Sequence, residues 1–186
     1  MLGTIIFQGP QHAHPEPHRK VSPASGFGLV ETMVVMCILI MLVGLALPRL
    51  NGYLDNRRLQ AATTTFYNDL RFGEAEALRR NVPVYYSITT GSNWCYSLST
   101  STGCSCASAQ ACQLAQQSYA SFRNVVLQSA STGSGAFVPT TSLAAPTTAL
   151  FATTSGTQAS VLLGLTGSVS LCAPAGALAF SEYPSC

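Results

Sequence analysis

The chain has 186 residues, enough for one modest domain and a membrane segment. Only 9% of the residues are charged, and the net charge is +2. Residues 83–186 contain only Arg123 and Glu182 as charged side chains. This half therefore lacks a basic patch that could neutralise phosphates, which disfavours sequence-independent binding of nucleic acid.

Residues 1–26 are typical of a leader peptide. They contain Arg19, Lys20, three histidines and several prolines, and they show no helical or strand periodicity. Gly26 and Phe27 stand at the end of this segment, directly before an apolar run. We expect cleavage between these two residues, so that the apolar run becomes the mature N-terminus. The alternative is a signal anchor that is never cut.

Residues 27–47 form an apolar run, interrupted by the carboxylate of Glu31. As a helix the run would be roughly 32 Å long, which matches the hydrocarbon core of a bilayer. The run therefore predicts a transmembrane helix. A carboxylate costs about 2.5–3.5 kcal/mol near the centre of such a helix and less toward its end. Because anchoring alone does not need Glu31, we expect it to have a role. The alternative is a carboxylate that snorkels at the membrane edge.

Residues 48–82 predict an amphipathic continuation of the same helix, which would extend roughly over residues 28–80. Gly44 and Pro48 should loosen or kink this helix, although a kink without function is equally compatible with them. An apolar stripe follows at spacings of three and four: Leu59, Ala62, Phe66, Leu70, Gly73 and Ala77. The ion pairs Asp55–Arg58 and Glu76–Arg80 are expected on the opposite surface of the helix. Four aromatic residues are interpreted as packing residues: Tyr53, Phe66, Tyr67 and Phe72.

Residues 83–186 predict a β domain, so the fold class is α+β, with a long helix packed on a mostly antiparallel sheet. Five short strands are expected: Val84–Ile88, Trp94–Leu98, Asn124–Leu127, Ala159–Leu163 and Val169–Cys172. Residues 99–118 and 129–148 are interpreted as long loops, which form either a contact surface or ordinary solvated segments.

Seven cysteines bear on the cellular compartment. Cys37 lies in the apolar run, and six follow it: Cys95, Cys104, Cys106, Cys112, Cys172 and Cys186. An even number predicts disulfides in an oxidising compartment. We favour a Cys172–Cys186 clasp and pairing among the four central cysteines. A metal cluster is the rival interpretation, disfavoured because this region has no histidine and no repeated CxxC pair.

The topology follows from the cysteines, since basic residues flank the apolar run on both sides and the positive-inside rule does not decide it. The C-terminal part is expected in the oxidising compartment and the N-terminus in the cytoplasm.

The composition of the predicted mature chain argues against an enzyme. All three histidines lie in residues 1–26, and the aspartates Asp55 and Asp69 both lie on the predicted helix. A Ser-His-Asp arrangement or a histidine metal site is therefore excluded from the mature chain. We predict no catalytic residue, no metal and no cofactor.

The N-terminal pattern resembles that of the type IV pilin and pseudopilin superfamily. Within it, residues 56–62 and 75–84 are similar to the GspH/FimT branch, which holds minor pseudopilins of type II secretion and minor pilins of type IV pili. The resemblance implies a pilin-like fold, cleavage after Gly26 by a prepilin peptidase, N-methylation of Phe27, an assembly role for Glu31 and a helix-melting role for Pro48.

The resemblance also implies partners. These are other pilins or pseudopilins, the prepilin peptidase, an inner-membrane assembly platform and the membrane itself, with the C-terminal domain in the periplasm. A filament-tip binding protein, either an adhesin or a DNA-uptake receptor, is the alternative. Some FimT-like proteins that bind DNA carry basic residues after the glycine that corresponds to Gly167. Here Ser168 and Ser170 occupy those positions, which disfavours nucleic acid as a partner.

Overall fold

A computed structural model describes residues 28–104, 106, 113–141, 143–176, 180 and 183–186, with the backbone alone for residues 45–50. The predicted leader and Phe27 lie outside these ranges. The chain divides after Leu42 into two compact units, which are described separately below.

The described part of the first unit is helical. Helix α1, Leu29–Arg80, begins there, and the amide of Thr32 donates a 3.2 Å hydrogen bond to the carbonyl of Gly28. The large apolar side chains of residues 29–42 are exposed by 45–76% and lie on all sides of the helix. Within the described residues, no helix is both long enough and apolar enough to cross a membrane.

The second unit, Val43–Cys186, contains the rest of α1 and all the described strands. The predicted stripe is confirmed, since all six of its residues are buried. The helix ends where Asn81 adopts a left-handed conformation, with φ of 55°, two residues before Pro83. Asn tolerates this conformation better than most residues do, and proline prevents the helix from resuming.

Two antiparallel sheets pack in this unit. Sheet 1 has the order β3-β2-β1-β5-β6, and sheet 2 has the order β4-β7-β8-β9. The strands are β1 Val84–Thr89, β2 Cys95–Ser99, β3 Gln113–Ser118, β4 Val125–Ala130, β5 Ser134–Val138, β6 Leu143–Ala144, β7 Thr147–Thr153, β8 Gln158–Leu163 and β9 Val169–Cys172. A short 3-10 turn, Tyr119–Ser121, follows β3.

The five predicted strands are present as β1, β2, β4, β8 and β9, and the α+β class is confirmed. The expectation of two long loops is wrong, because β3 lies in the first while β5, β6 and the start of β7 lie in the second. β3 and β6 contain no β-branched or aromatic residue, so their formation depends on neighbouring strands more than on intrinsic preference. The single predicted sheet is in fact two.

The hydrophobic core lies where α1 meets both sheets. The ring of Phe66 on α1 lies 4.7 Å from that of Tyr96 in sheet 1 and 5.5 Å from that of Phe151 in sheet 2. Trp94 is fully buried, and its indole N–H donates a 2.7 Å hydrogen bond to the carbonyl of Val125. One aromatic cluster therefore holds the helix and the two sheets together.

Candidate assembly surfaces

Glu31 occupies the first turn of α1. Its side chain is exposed among apolar neighbours such as Val30 and Met33, and it forms no ion pair with any described residue. The helix places it where a cation from outside the described chain could reach it. The predicted cleavage residues Gly26 and Phe27 lie outside the described residues.

The two predicted kink residues both lie within α1, which continues through them. Gly44 is exposed, and a Cβ atom at this position would meet no heavy atom within 4 Å. Only the backbone of Pro48 is described. A kink at either position therefore stays a prediction.

Disulfides join most of the described cysteines. Cys95 pairs with Cys106, and Cys172 pairs with Cys186, which is the clasp favoured from the sequence. Cys104 is also disulfide-bonded, whereas Cys112 lies outside the described residues. In the described part of the chain, no group of three or more potential ligands could hold a metal ion.

A buried polar contact connects the start of the core-facing helix to sheet 2. Asp55 Oδ1 accepts hydrogen bonds from the Asn124 amide at 3.0 Å and from Arg58 at 2.9 Å. The predicted Asp55–Arg58 pair is present, but its expected position on the opposite surface is wrong, because Asp55 is buried. Asp55 lies four residues before Leu59, so it continues the apolar stripe, and this spacing could have revealed its burial.

A second polar contact connects α1 to sheet 1. The Tyr96 hydroxyl donates a 2.7 Å hydrogen bond to Asp69 Oδ2. Burial raises the pKa of the Asp69 carboxyl, and the hydrogen bond from Tyr96 partly opposes that shift. Burial and the adjacent carboxylate both raise the pKa of the Tyr96 hydroxyl. The sequence offered no signal for this pair, because its members are 27 residues apart.

A charged cluster closes the end of α1. Arg79 binds the Glu76 carboxylate through two hydrogen bonds of 2.7 and 2.8 Å, and Arg80 also contacts Glu76. The hydrogen bonding to Arg79 lowers the pKa of Glu76 to about 2, against the opposing effect of burial. The predicted Glu76–Arg80 pair is therefore present, but Glu76, like Asp55, is buried and does not lie on the opposite surface.

The aromatic residues of α1 divide between the core and the surface. Phe66 is buried and Tyr67 packs against the core, as predicted. Tyr53 and Phe72 are exposed by 54% and 45%, so their interpretation as packing residues is wrong for this chain by itself. They are left without a partner surface within the described residues.

Two exposed leucines, Leu78 at the end of α1 and Leu143 in β6, line a small apolar depression together with Glu74, and we call this depression the leucine notch. Glu74, Leu78 and Leu143 line the depression, and the carbonyl of Leu165 accepts a 2.8 Å hydrogen bond from the amide of Ala144 in its wall. The notch is therefore built from three elements of the same unit.

The β8–β9 turn lies directly against the carboxylate of Glu74. Gly167 has a φ of +76°, and a Cβ atom there would lie 2.9 Å from Glu74 Cδ. Only glycine fits both the left-handed backbone and the close approach. This turn, which carries Ser168, thus has an acidic neighbour and no basic residue, and Ser170 follows it in β9.

Two larger grooves, of about 390 and 420 Å3, lie at sheet 1 and near the Cys95–Cys106 disulfide. Their described lining contains no carboxylate, histidine, lysine or arginine. Neither groove offers the paired acid and base that hydrolytic or proton-transfer chemistry uses.

A family model described as type II transport protein GspH matches residues 62–180, more than half of the chain. The chain belongs to the GspH family. The match begins within α1 and extends beyond β9, so it includes both sheets. Membership in the GspH family confirms the GspH/FimT resemblance and places the chain among minor pilin-like subunits, which are structural proteins of envelope filaments.

Solved structures with a related fold include two minor pilin-like proteins. The minor pseudopilin EpsH from the type 2 secretion system of Vibrio cholerae has 14% identity and a TM-score of 0.48, over 63% of this chain and 98% of that chain. The type IV minor pilin FimU of Pseudomonas aeruginosa has 13% identity and a TM-score of 0.44 in one crystal form, over 64% of this chain and 98% of that chain. In a second crystal form of FimU the identity is 15% and the TM-score is 0.47, over 68% of this chain and 98% of that chain.

No curated protein matches the sequence significantly. Since the structural identities and TM-scores are low, membership in the GspH family rests on the family match.

Proposed function

We propose that this chain is a minor pilin or pseudopilin subunit that a prepilin peptidase cleaves between Gly26 and Phe27. Residues 27–47 then anchor it in the bacterial inner membrane, with residues 83–186 in the periplasm, until an assembly platform moves it into a filament. Phe27 becomes the N-methylated first residue. The proposal covers a type IV pilus and a type II secretion pseudopilus alike, and it assigns no catalysis and no cofactor.

The observation that carries the proposal is the exposed apolar surface of residues 29–42, with Glu31 as its single carboxylate. An apolar surface on all sides of a helix needs lipid or other helices to cover it. A filament subunit uses both in turn, since lipid covers the helix before assembly and neighbouring helices cover it afterwards.

Cleavage before Phe27 would create a new amino group four residues from Glu31. In a filament, Glu31 of one subunit would face this amine on a neighbour. Pairing offsets much of the cost of a buried charge and selects one register among otherwise similar apolar contacts. Glu31 is then an assembly residue with no catalytic role.

The disulfides support a periplasmic location for the C-terminal domain. The two described pairs, Cys95–Cys106 and Cys172–Cys186, lie in sheet 1 and at the C-terminus. Structural disulfides persist in oxidising compartments and are rare in the cytosol.

The alternative of a DNA-uptake receptor has no support in the described surface. Glu74 lies against the Gly167 turn, where phosphate binding would need a basic side chain. We therefore retain tip binding as the alternative only for an uncharged partner.

Mass spectrometry of the full chain from cells with and without a prepilin peptidase tests the processing step. We expect the mature mass, beginning at N-methylated Phe27, only when the peptidase is present. An intact leader in both strains would refute the proposal.

Glu31→Ala tests the assembly step. We expect normal cleavage and membrane insertion but strongly reduced recovery in sheared filaments or tip complexes. Thr32→Ala is the matched control, since among the described residues the Thr32 hydroxyl bonds only the carbonyl of Leu29, within the same turn. Equal incorporation of the Glu31 variant and the control would exclude an assembly role for Glu31.

A further inference from the structure

The outer face of sheet 1, which is turned away from the core, carries the groove of about 390 Å3. On β1 the buried Tyr86 faces the core, so Tyr85 and Ser87 on either side of it point to the outer face. The register between β1 and β5 sets Ala136 beside Tyr85 and Ser134 beside Ser87. Strand pairing therefore brings one aromatic ring and two serines together on the floor of the groove.

The loop after β2 forms one wall of the groove, through residues 102–104. At the start of this loop the Ser99 hydroxyl donates a 2.9 Å hydrogen bond to the carbonyl of Ser101. At its other side the Cys95–Cys106 disulfide ties the loop to β2. The wall is therefore attached to the sheet before any ligand binds, which lowers the cost of ordering it on binding.

The groove keeps hydrogen-bonding groups that the described chain does not use. We call it the hydroxyl groove, after four residues that line it: Tyr85, Ser87, Thr102 and Ser134. None of these four hydroxyls has a hydrogen-bond partner among the described residues. Ser97 pairs with Ser87 across the strands, and its buried hydroxyl likewise has no partner there. Since a hydroxyl both donates and accepts, this face of sheet 1 has unused capacity of both kinds.

The lining of the hydroxyl groove selects against charged ligands. Its described residues include no lysine, arginine, histidine or carboxylate. A phosphate or a charged peptide would lose water there without gaining a counter-charge. The ring of Tyr85 offers an apolar surface beside the hydroxyls. A ligand that fits is neutral, rich in hydroxyl groups and apolar on one face, and this combination describes a sugar ring.

We propose that the hydroxyl groove binds a neutral saccharide, with one sugar ring stacked on Tyr85 and its hydroxyl groups bonded to Ser87 and Ser134. The volume of the groove lies within the range of small-molecule sites, about 300–1,000 Å3. This binding role goes beyond filament assembly and gives a chemical class to the uncharged tip partner retained above. It needs no copy-to-copy contact of this chain.

A glycan array probed with the full chain tests the proposal. The chain is purified in a detergent without a sugar headgroup, because a glucoside or maltoside would compete for the groove. The array carries neutral hexose oligosaccharides, neutral N-acetylhexosamine oligosaccharides, acidic glycans and uncharged peptides. We expect binding to at least one of the two neutral glycan classes, and the class that binds identifies the sugar. No binding to any neutral glycan, or binding only to acidic glycans or to peptides, would overturn the proposal.

Variants locate the binding site, with the neutral oligosaccharide that binds best on the array as the probe. Tyr85→Ala should weaken binding at least tenfold through loss of the ring, and the double change Ser87→Ala with Ser134→Ala should weaken it about tenfold. Two controls should bind as the wild type does: Tyr53→Ala, at an exposed tyrosine of α1, and Ser170→Ala, at an exposed serine of β9. An affinity unchanged by both groove variants would place the sugar elsewhere and overturn the proposal.

The fluorescence of Trp94 shows whether each variant is folded, because Trp94 is the only tryptophan of the chain and is fully buried. Tyr85→Phe keeps the ring, so it should weaken binding less than Tyr85→Ala does. If Tyr85→Ala alters the Trp94 emission, the double serine variant decides the test by itself. Both of its positions lie outside the buried core, at Ser87 and Ser134.

Failure of this proposal is distinguishable from failure of the proposed function. Leader cleavage and filament recovery of the same chain are measured in cells, independently of the array. A chain that is cleaved and recovered in filaments but binds no neutral glycan refutes the saccharide site alone. A chain that is not cleaved refutes the subunit function, whatever the array shows.

Discussion

The hydroxyl of Tyr96 donates a hydrogen bond to the carboxylate of Asp69 over 2.7 Å, which ties sheet 1 to α1 at the edge of the core. Burial raises the pKa of Asp69. The contact therefore satisfies a polar group that the helix would otherwise leave poorly solvated.

Tyr96→Phe should lower the free energy of unfolding by about 1–2 kcal/mol, because the carboxylate stays partly buried and loses its donor. Urea unfolding of Val43–Cys186 at pH 7 measures the change. Tyr85→Phe is the matched control, since the Tyr85 hydroxyl has no hydrogen bond within the described residues and should shift stability by less than about 0.5 kcal/mol. Equal effects of the two changes would count against the contact.

Glu76 should make the domain more stable as pH rises from about 2 to 4.5. Its pKa is about 2 in the folded domain against an ordinary value of 4.5, so the folded state releases the proton first. This contribution is fully present above pH 4.5 and is lost as pH falls toward 2. Glu76→Gln should flatten the curve of unfolding free energy against pH in this window.

Asp69→Asn is the control for that experiment, because Asp69 should change the free energy of unfolding with pH in the opposite direction to Glu76. The pKa of Asp69 in the folded domain is raised above 3.8, so the folded state keeps the proton longer than the unfolded state does. The free energy of unfolding therefore falls as pH rises from 3.8 through the raised pKa. Asp69→Asn should remove this fall. Parallel curves for the wild type and Glu76→Gln would contradict the proposed linkage.

Gly73 allows α1 to approach sheet 1 closely. A Cβ atom at this position would lie 3.1 Å from Phe137 Cε2 and 3.3 Å from Leu98 Cδ1. Gly73→Leu should therefore destabilise the domain by about 1–3 kcal/mol through overpacking, despite the better helix propensity of leucine.

Gly52→Leu is the matched control on the same helix, because a Cβ atom at Gly52 meets no heavy atom within 4 Å. It should stabilise the domain by about 0.5–1 kcal/mol. Thermal unfolding of both variants provides the comparison. An unchanged melting temperature of Gly73→Leu would show that sheet 1 can shift away from α1 to make room for the side chain.

The Cys172–Cys186 disulfide fastens the C-terminus beside β9. The backbone of Ala173 adds hydrogen bonds of 2.7 and 3.0 Å to Pro184 and Cys186. Replacing both cysteines with serine should cost about 3 kcal/mol, since the bond closes a loop of 14 residues. A reductant should lower the melting temperature of the wild type further than that of the variant. No difference between them would mean that the backbone contacts alone hold the C-terminus.

The periodic elements could be predicted from the sequence. The stripe from Leu59 to Ala77 is buried as its spacing indicated, and five strands appear where apolar residues alternate or cluster. The strands β3 and β5–β7 could not be found in this way. β3 and β6, for example, contain no β-branched or aromatic residue, and their formation depends on the neighbouring strands.

The candidate assembly surfaces also contain some features that the sequence reveals and others that only the tertiary structure reveals. Glu31, the cysteine clasp and the family resemblance are properties of local sequence, because a carboxylate in an apolar run or a pair of nearby cysteines needs no distant partner to be recognised. The tertiary structure decided which surfaces remain uncovered. It placed Asp55 and Glu76 inside, left Tyr53 outside, and brought Leu78 and Leu143 together around one depression. Such proximity depends on how α1 and the two sheets pack, and no spacing along the chain encodes it.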